Sequence, residues 1–133
     1  MKVNLPTSPR RTMICLSLPE LISAGNLAAA SACFARDACL LTQDATAIHD
    51  REHIRPLLAQ LIARRAKIEV EQSNVLCAGD VALAREQWTI EIDGAEGSRF
   101  AQACSPTLVA HRIEEQWKLA LVAPWGWGGE TSP

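Results

Sequence analysis

Two hydrophobic periods divide this chain, and the change from one to the other constrains its fold more than any other feature. Ile54, Leu57, Leu58, Leu61 and Ile62 recur at helical spacing and trace one apolar stripe. From Lys67 the period becomes two, with Ile68 and Val70 alternating against Lys67, Glu69 and Glu71, which is the pattern of a strand with one wet face. A helix therefore ends, and a sheet begins, close to Lys67.

Upstream of that switch the signals are helical. Ser17-Leu18-Pro19-Glu20 has the spacing of a capping box, so a first helix starts there. Gly25 supplies a left-handed stop, and Asn26 caps a second helix running to about Phe34. Ala38 to Thr42 and Thr46 to Ile48, separated by the turn chemistry of Gln43-Asp44-Ala45, form a small hairpin. Asp50 then caps the helix that carries the Ile54–Ile62 stripe, and Pro56 bends that helix without ending it. Downstream, apolar parity shifts from Val70 to Val75 and Cys77, which predicts a bulge near Ser73. Turns at Ala78-Gly79-Asp80 and Asp93-Gly94 bound a strand from Val81 to Ile92; a return strand spans Arg99 to Arg112, and a last strand runs from Gln116 to Ala123 before Pro124. Helices followed by meandering strands give an α+β domain, with helices gathered on one face of an antiparallel sheet.

Composition excludes several functions. With 133 residues the chain has the length of one domain. Its 13 basic and 15 acidic residues leave a net charge of -2 with no basic stripe, so nucleic acid is not an expected partner. No apolar run is long enough to span a membrane, although 48% of the residues are hydrophobic. The five cysteines form no CxxC pair and cannot all pair with one another, which points to a reducing, cytoplasmic setting with no structural disulfide. Ser8-Pro9-Arg10-Arg11-Thr12-Met13-Ile14 has some likeness to a twin-arginine export signal, but Pro19 and Glu20 interrupt the apolar run that follows. Residues 1–16 are thus expected to be a flexible leader, 17–127 the domain and 128–133 a tail.

Several segments, taken in order, resemble one family. Phe34-Ala35-Arg36-Asp37-Ala38-Cys39-Leu40-Leu41, Asp50-Arg51-Glu52-His53-Ile54, Gly79-Asp80-Val81-Ala82-Leu83 with Trp88, and Gln116-Trp117-Lys118 through Pro124-Trp125-Gly126 are similar to successive motifs of SnoaL-like proteins. The last of them resembles the SgcJ/EcaC subgroup of the nuclear-transport-factor-two-like, ketosteroid-isomerase-like superfamily. The resemblance implies a cone: a curved antiparallel sheet with three helices on its concave face, enclosing an apolar pocket. Proteins of this scaffold isomerise, cyclise, open epoxides, bind or assemble, so the fold leaves the function open.

The resemblance also supplies a test of chemistry. It puts the isomerase base position at Thr42, whose hydroxyl cannot take a carbon-bound proton at neutral pH, and the chain has no tyrosine to stabilise an enolate. Asp44 shares the parity of Thr42, yet reads as a solvated turn aspartate. The expected ligand-binding residues are Trp88, whose family counterpart borders the pocket, Thr42, Leu108, and whichever of His111 and Arg112 faces inward. Glu86 shares the parity of Trp88 and is either a pocket acid or a partner in a rim salt bridge. His49 and His53 stand at H-x3-H spacing, but Asp50 between them suits a helix cap better than a zinc motif. No metal or cofactor is expected, and no catalytic residue is identified. The expectation is a pocket for a small apolar or polyketide-like ligand with at most weak isomerase, cyclase or lyase activity; the alternative is a non-catalytic binding or assembly module. A homodimer is expected because the last strand is apolar on both faces, with Trp117, Leu119 and Leu121 on one and Ala120 and Val122 on the other.

Overall fold

A computed structural model describes residues 18–124. The chain is helical over 18–23 (α1) and again over Leu27–Ala32 (α2) and Arg51–Ala63 (α3). Seven strands follow the order β1 Phe34–Leu41, β2 Ala47–His49, β3 Lys67–Ala78, β4 Val81–Asp93, β5 Arg99–Cys104, β6 Thr107–Ile113 and β7 Gln116–Ala123. They form one curved, unclosed sheet in the spatial order β2-β1-β7-β6-β4-β3, with β5 on β4. This is the α+β cone, its three helices lying against the sheet.

Local chemistry accounts for the helical layer. Gly25 adopts φ +78°, and the amides of Gly25 and Asn26 close back onto the carbonyls of Ile22 and Leu21 at 3.0 and 2.9 Å, which ends α1 in a Schellman arrangement. Asn26 Oδ1 accepts the Ala29 amide at 3.1 Å and starts α2. That helix stops at Ala32, not Phe34: Phe34 opens β1, where its ring is fully buried. Asp50 occupies the N-cap position of α3 at φ 79°, but its side chain makes no capping bond. Its carbonyl instead accepts the amides of His53 and Ile54, while its own amide donates to Ala38. Pro56 lies inside α3, which continues past it to Ala63. Ser17 of the capping box lies outside the described residues.

The sheet departs from simple alternation in β1, where the register against β7 shifts between Phe34 and Cys39, and in three further places. In β3 the register shifts between Val70 and Gln72, so Glu71 is the extra residue, two positions before the expected bulge. Its effect is the expected one: Ile68 and Val70 face the core before it, and Ser73 and Val75 stand opposite Glu86 and Ala84 after it. The single return strand expected from Arg99 to Arg112 is two strands, β5 and β6, which pair with successive halves of β4. Pro106 between them has no amide to give to a ladder; its buried carbonyl accepts the Glu86 amide at 3.1 Å. The third irregularity is in β7, where the register against β6 skips Ala120. Trp117 and Leu119 are therefore buried, but Leu121 turns to the opposite face and Val122 takes its place in the core. The two faces proposed from strict alternation in β7 are corrected accordingly.

One pairing in the sheet is parallel. β1 lies alongside β7 with Phe34 opposite Leu119 and Leu40 opposite Val122, whereas every other ladder is antiparallel, so the sheet is mixed. Beside the larger Trp88 and Trp117, the core holds Phe34, Ile54, Leu108, Leu119 and Val122, each almost fully buried, and they come from both halves of the chain. Truncation of Phe34 to alanine is expected to cost about 3–5 kcal/mol of unfolding free energy. Urea denaturation measures this, and a loss below about 1 kcal/mol would show that Phe34 does not join the helices to the sheet.

Candidate functional site

Between the helices and the sheet lies a cavity of about 250 Å³. Helix α3 supplies one wall through Leu57, Leu58 and Leu61; β4 supplies the opposite one through Trp88, Ile90 and Ile92. The stripe on α3 thus has two duties. Ile54 and Leu58 are buried in the core, while Leu57 and Leu61, half-buried, turn towards the cavity. Phe34, Leu40 and Leu41 of β1 and Val122 of β7 add to the apolar lining, as do Leu18 and Ile22 of α1 and Ile68 of β3.

The five expected binding residues separate into two groups. Trp88 and Thr42 line the cavity; Leu108, His111 and Arg112 do not. Leu108 is fully buried in the core beside Ala84 and Val122. His111 is exposed and pairs in register with Val81 and Lys118. Arg112 is engaged elsewhere: its Nε and Nη2 donate to Asp80 Oδ1 at 3.0 and 2.8 Å, and its guanidinium stands 5.9 Å from the centre of the Trp117 ring. These contacts tie the β3–β4 turn to β6. Arg112 shares the inner face of β6 with Leu108 and Ala110, opposite Trp117, but it is exposed beyond the core and does not line the cavity, while His111 alternates to the outer face.

Thr42 reaches the cavity with its hydroxyl already committed. It donates to Asp44 Oδ1 at 2.5 Å and accepts the Thr46 amide at 3.1 Å, which closes the β1–β2 turn. The bonds from Thr42 and Thr46 hold the exposed Asp44 carboxyl below the ordinary aspartate range. A carboxylate stabilised in this way is a weaker base, and it does not line the cavity.

Trp88 is positioned by a residue whose role the sequence left open. Its Nε1–H donates to Glu86 Oε1 at 2.7 Å, and the Ser73 hydroxyl donates to Glu86 Oε2, also at 2.7 Å. Glu86 is 2% exposed, so it is not a rim residue, and among the described residues it forms no salt bridge. It is also absent from the apolar cavity wall, opening instead onto a separate, more polar hollow shared with Gln72 and Ser105. The bulge at Glu71 makes this arrangement possible, because one residue fewer in β3 would leave Ser73 on the opposite face. Sequence reasoning also passed over Gln43, Gln60 and Arg64, which line the cavity. Gln60 and Arg64 could have been found from spacing: with Leu57 and Leu61 they complete the i, i+3, i+4, i+7 pattern of one helix face.

Nucleophile and metal chemistry find little support in the geometry. Burial pushes the Cys104 thiol up to about 11 and raises that of Cys33, where nearby Lys118 offsets part of the effect, so both favour the unreactive thiol form. His53 Nδ1 lies 3.0 Å from the His49 carbonyl oxygen. Among the described residues no group of three or more His, Cys, Asp or Glu side chains gathers into a metal site, and no helix is long and apolar enough to cross a membrane.

The family model for the SnoaL-like domain matches residues 16–122. The chain belongs to the SnoaL-like family. No curated protein matches the sequence. Among solved structures it is similar to an NTF2-like protein with a cystatin-like fold from Novosphingobium aromaticivorans, at 16% identity and a TM-score of 0.75 over 92% of this chain and 82% of that one. It is similar to a protein with a cystatin-like fold from Caulobacter vibrioides, at 13% identity and a TM-score of 0.75 over 87% and 86% of the two chains. A third likeness is to SalBIII, an epoxide hydrolase/cyclase-like enzyme of pyran ring formation in the polyether salinomycin, at 15% identity and a TM-score of 0.68 over 88% and 91%. At such identities the likeness establishes the fold alone.

The buried acid gives this SnoaL-like domain a specific test. Glu86→Ala strands the Trp88 indole N–H in the core and is expected to cost about 1–3 kcal/mol, with an altered tryptophan emission spectrum. Thermal or chemical unfolding together with fluorescence checks it; unchanged stability and emission would mean that Glu86 does not hold Trp88.

Proposed function

We propose that this SnoaL-like domain is a small-molecule-binding protein whose ligand is held chiefly by apolar contact in the cavity against Trp88. The observation that carries this reading is the character of the wall: on the described lining there is no Asp, Glu, His, Lys, Cys or Tyr. Carbon-acid chemistry needs a base at the reacting carbon and donors for the developing oxyanion. A positioned general base alone contributes about 10²–10⁴-fold, and Thr42 cannot supply it. Binding asks for less, since desolvation of apolar surface suffices to hold a hydrophobic molecule in an enclosed site.

Titration with octan-1-ol, a neutral apolar probe, is expected to change tryptophan fluorescence. The response should disappear in Trp88→Phe although Trp117, Trp125 and Trp127 remain, and a β,γ-unsaturated ketosteroid should not be isomerised above background. Rapid isomerisation, or a fluorescence response untouched by the Trp88 change, would contradict this reading.

A homodimer is the second element of the proposal, supported by the outer face of the sheet. The registers place Leu76, Leu83, Val109 and Leu121 side by side across β3, β4, β6 and β7. Leu76 is 71% exposed, and the bulge at Ala120 is what adds Leu121 to this row. The polar side chains beside the row, Arg85, His111 and Lys118, lie on its flanks, so two copies related by a two-fold axis can bring apolar row to apolar row. Light scattering at high micromolar concentration should give the mass of a dimer, and Val109→Asp should yield a folded monomer. A monomeric parent protein would refute the dimer without affecting the cavity.

A further inference from the structure

Besides Thr42, whose hydroxyl is spent on closing a turn, the polar side chains lining the cavity are Gln43, Gln60 and Arg64. Gln60 and Arg64 share the face of α3 that carries Leu57 and Leu61, and Gln43 joins them from the turn after β1. Arg64 is the one ionisable side chain on the described lining. It is anchored from behind: its Nε donates to the Asp93 carbonyl at 3.1 Å, and the Asp93 amide donates to the Arg64 carbonyl at 2.8 Å. The carboxylate that could neutralise it is engaged elsewhere, because Asp93 is held by Arg99 at 2.6 Å and by Arg65 at 3.4 Å. Among the described residues no hydrogen bond or ion pair occupies either terminal nitrogen of Arg64. The Nε anchor therefore fixes the guanidinium while leaving its outer N–H groups for another acceptor.

We propose that the ligand is a compact amphiphilic acid, with its apolar body against Trp88, Ile90 and Leu57 and its anionic head at Arg64, where Gln60 and Gln43 offer neutral hydrogen-bonding amides. The proposal rests on the reading of the cavity as a ligand site and adds the class of ligand. Arg64, Gln60 and Gln43 are exposed and so stand where the cavity meets solvent; a guanidinium there, without a carboxylate of its own, can take a carboxylate on its planar fork while the apolar body of the ligand lies inside. The ionic role that the sequence suggested for His111 or Arg112 thus passes to a residue on the other side of the domain. Size narrows the class further: about 250 Å³ encloses on the order of eight to ten non-hydrogen atoms, at the ~30 Å³ that a water-sized unit takes in a liquid. A fused polycyclic skeleton would project through the mouth.

Octanoate and octan-1-ol have nearly the same apolar body and differ at the head, so calorimetric titration of the full chain at neutral pH separates the two readings. Octanoate is expected to bind about tenfold more tightly than octan-1-ol. That preference should fall to about onefold in Arg64→Gln, whose unchanged circular dichroism and thermal unfolding report that it is folded, and should survive in part in Arg64→Lys. Arg55→Gln, an exposed change elsewhere on α3, should leave the preference intact. Equal binding of both probes by the unaltered protein overturns the acid-binding inference and leaves the apolar cavity standing. A preference that persists in Arg64→Gln overturns the assignment of the head group to Arg64. Binding of neither probe overturns the cavity reading, and the inference with it.

Discussion

The parallel pairing of β1 with β7 is the contact on which the cavity depends. It brings the first strand of the chain onto the last, with the Leu119 amide donating to the Cys33 carbonyl at 2.7 Å and Lys118 Nζ donating to the Ala32 carbonyl, also at 2.7 Å, across 86 positions of sequence. The buried side chains of Phe34 and Leu119 seal this seam. Without it, α1, α2, α3 and the β1–β2 hairpin would have a much smaller part of the sheet to cover. Helix α3 faces Trp88 because β1, against which α3 packs, is fixed in the same sheet as β4. Loop-closure entropy opposes such a distant pairing until the core contacts are in place, so the seam and the hydrophobic core should form together.

Irregularity in the strands then decides what each face carries. The extra residue at Glu71 brings Ser73 round to Glu86, and the Ser73–Glu86–Trp88 chain of hydrogen bonds fixes the indole against the cavity. A buried carboxylate is expensive to desolvate unless its oxygens are satisfied, and here each oxygen has a donor. The break at Pro106 provides room for this group beside β4, since it falls where β5 has ended and β6 has yet to begin. The extra residue at Ala120 acts on the other surface, bringing Leu121 into line with Leu76, Leu83 and Val109. Two single-residue insertions thus shape the inner wall and the outer apolar row separately.

What could be read from the sequence followed from how local its cause is. The helix stop at Gly25, the Asn26 cap, the stripe on α3 and the boundaries of β7 are set by residues within a turn of one another, and the structure agrees with each. The change of parity in β3 was legible because it left Val75 out of phase with Val70. The bulge in β7 was not, because Ala120 and Leu121 are both apolar and strict alternation looks equally acceptable without it. Local spacing puts Phe34 on the apolar face at the end of α2; only the seam with β7, a contact with the far end of the chain, makes it a strand residue. The same limit applies to the site. Trp88 and Thr42 were found from motifs, whereas His111 and Arg112 were chosen for their chemistry, and no periodic rule says which end of a curved sheet the cavity occupies.

Shared architecture and divergent chemistry are compatible here because the scaffold fixes where a cavity lies and not which groups line it. Replacing a few wall residues changes a site from acid–base chemistry to binding without disturbing the seam, the bulges or the core. In this chain the position that the isomerase comparison assigns to the base is Thr42, and its hydroxyl is spent on closing a turn with Asp44 and Thr46. The acid nearest the aromatic wall, Glu86, is spent on holding Trp88. Each polar group that could have done chemistry near the cavity therefore has a structural partner, with one exception on the described lining. Arg64, anchored through Nε alone, keeps its outer nitrogens unpaired among the described residues. A permanent cation can position and hold an anion but cannot accept a proton, so the polarity left to this cavity suits recognition of a charged head group better than abstraction of a proton from carbon.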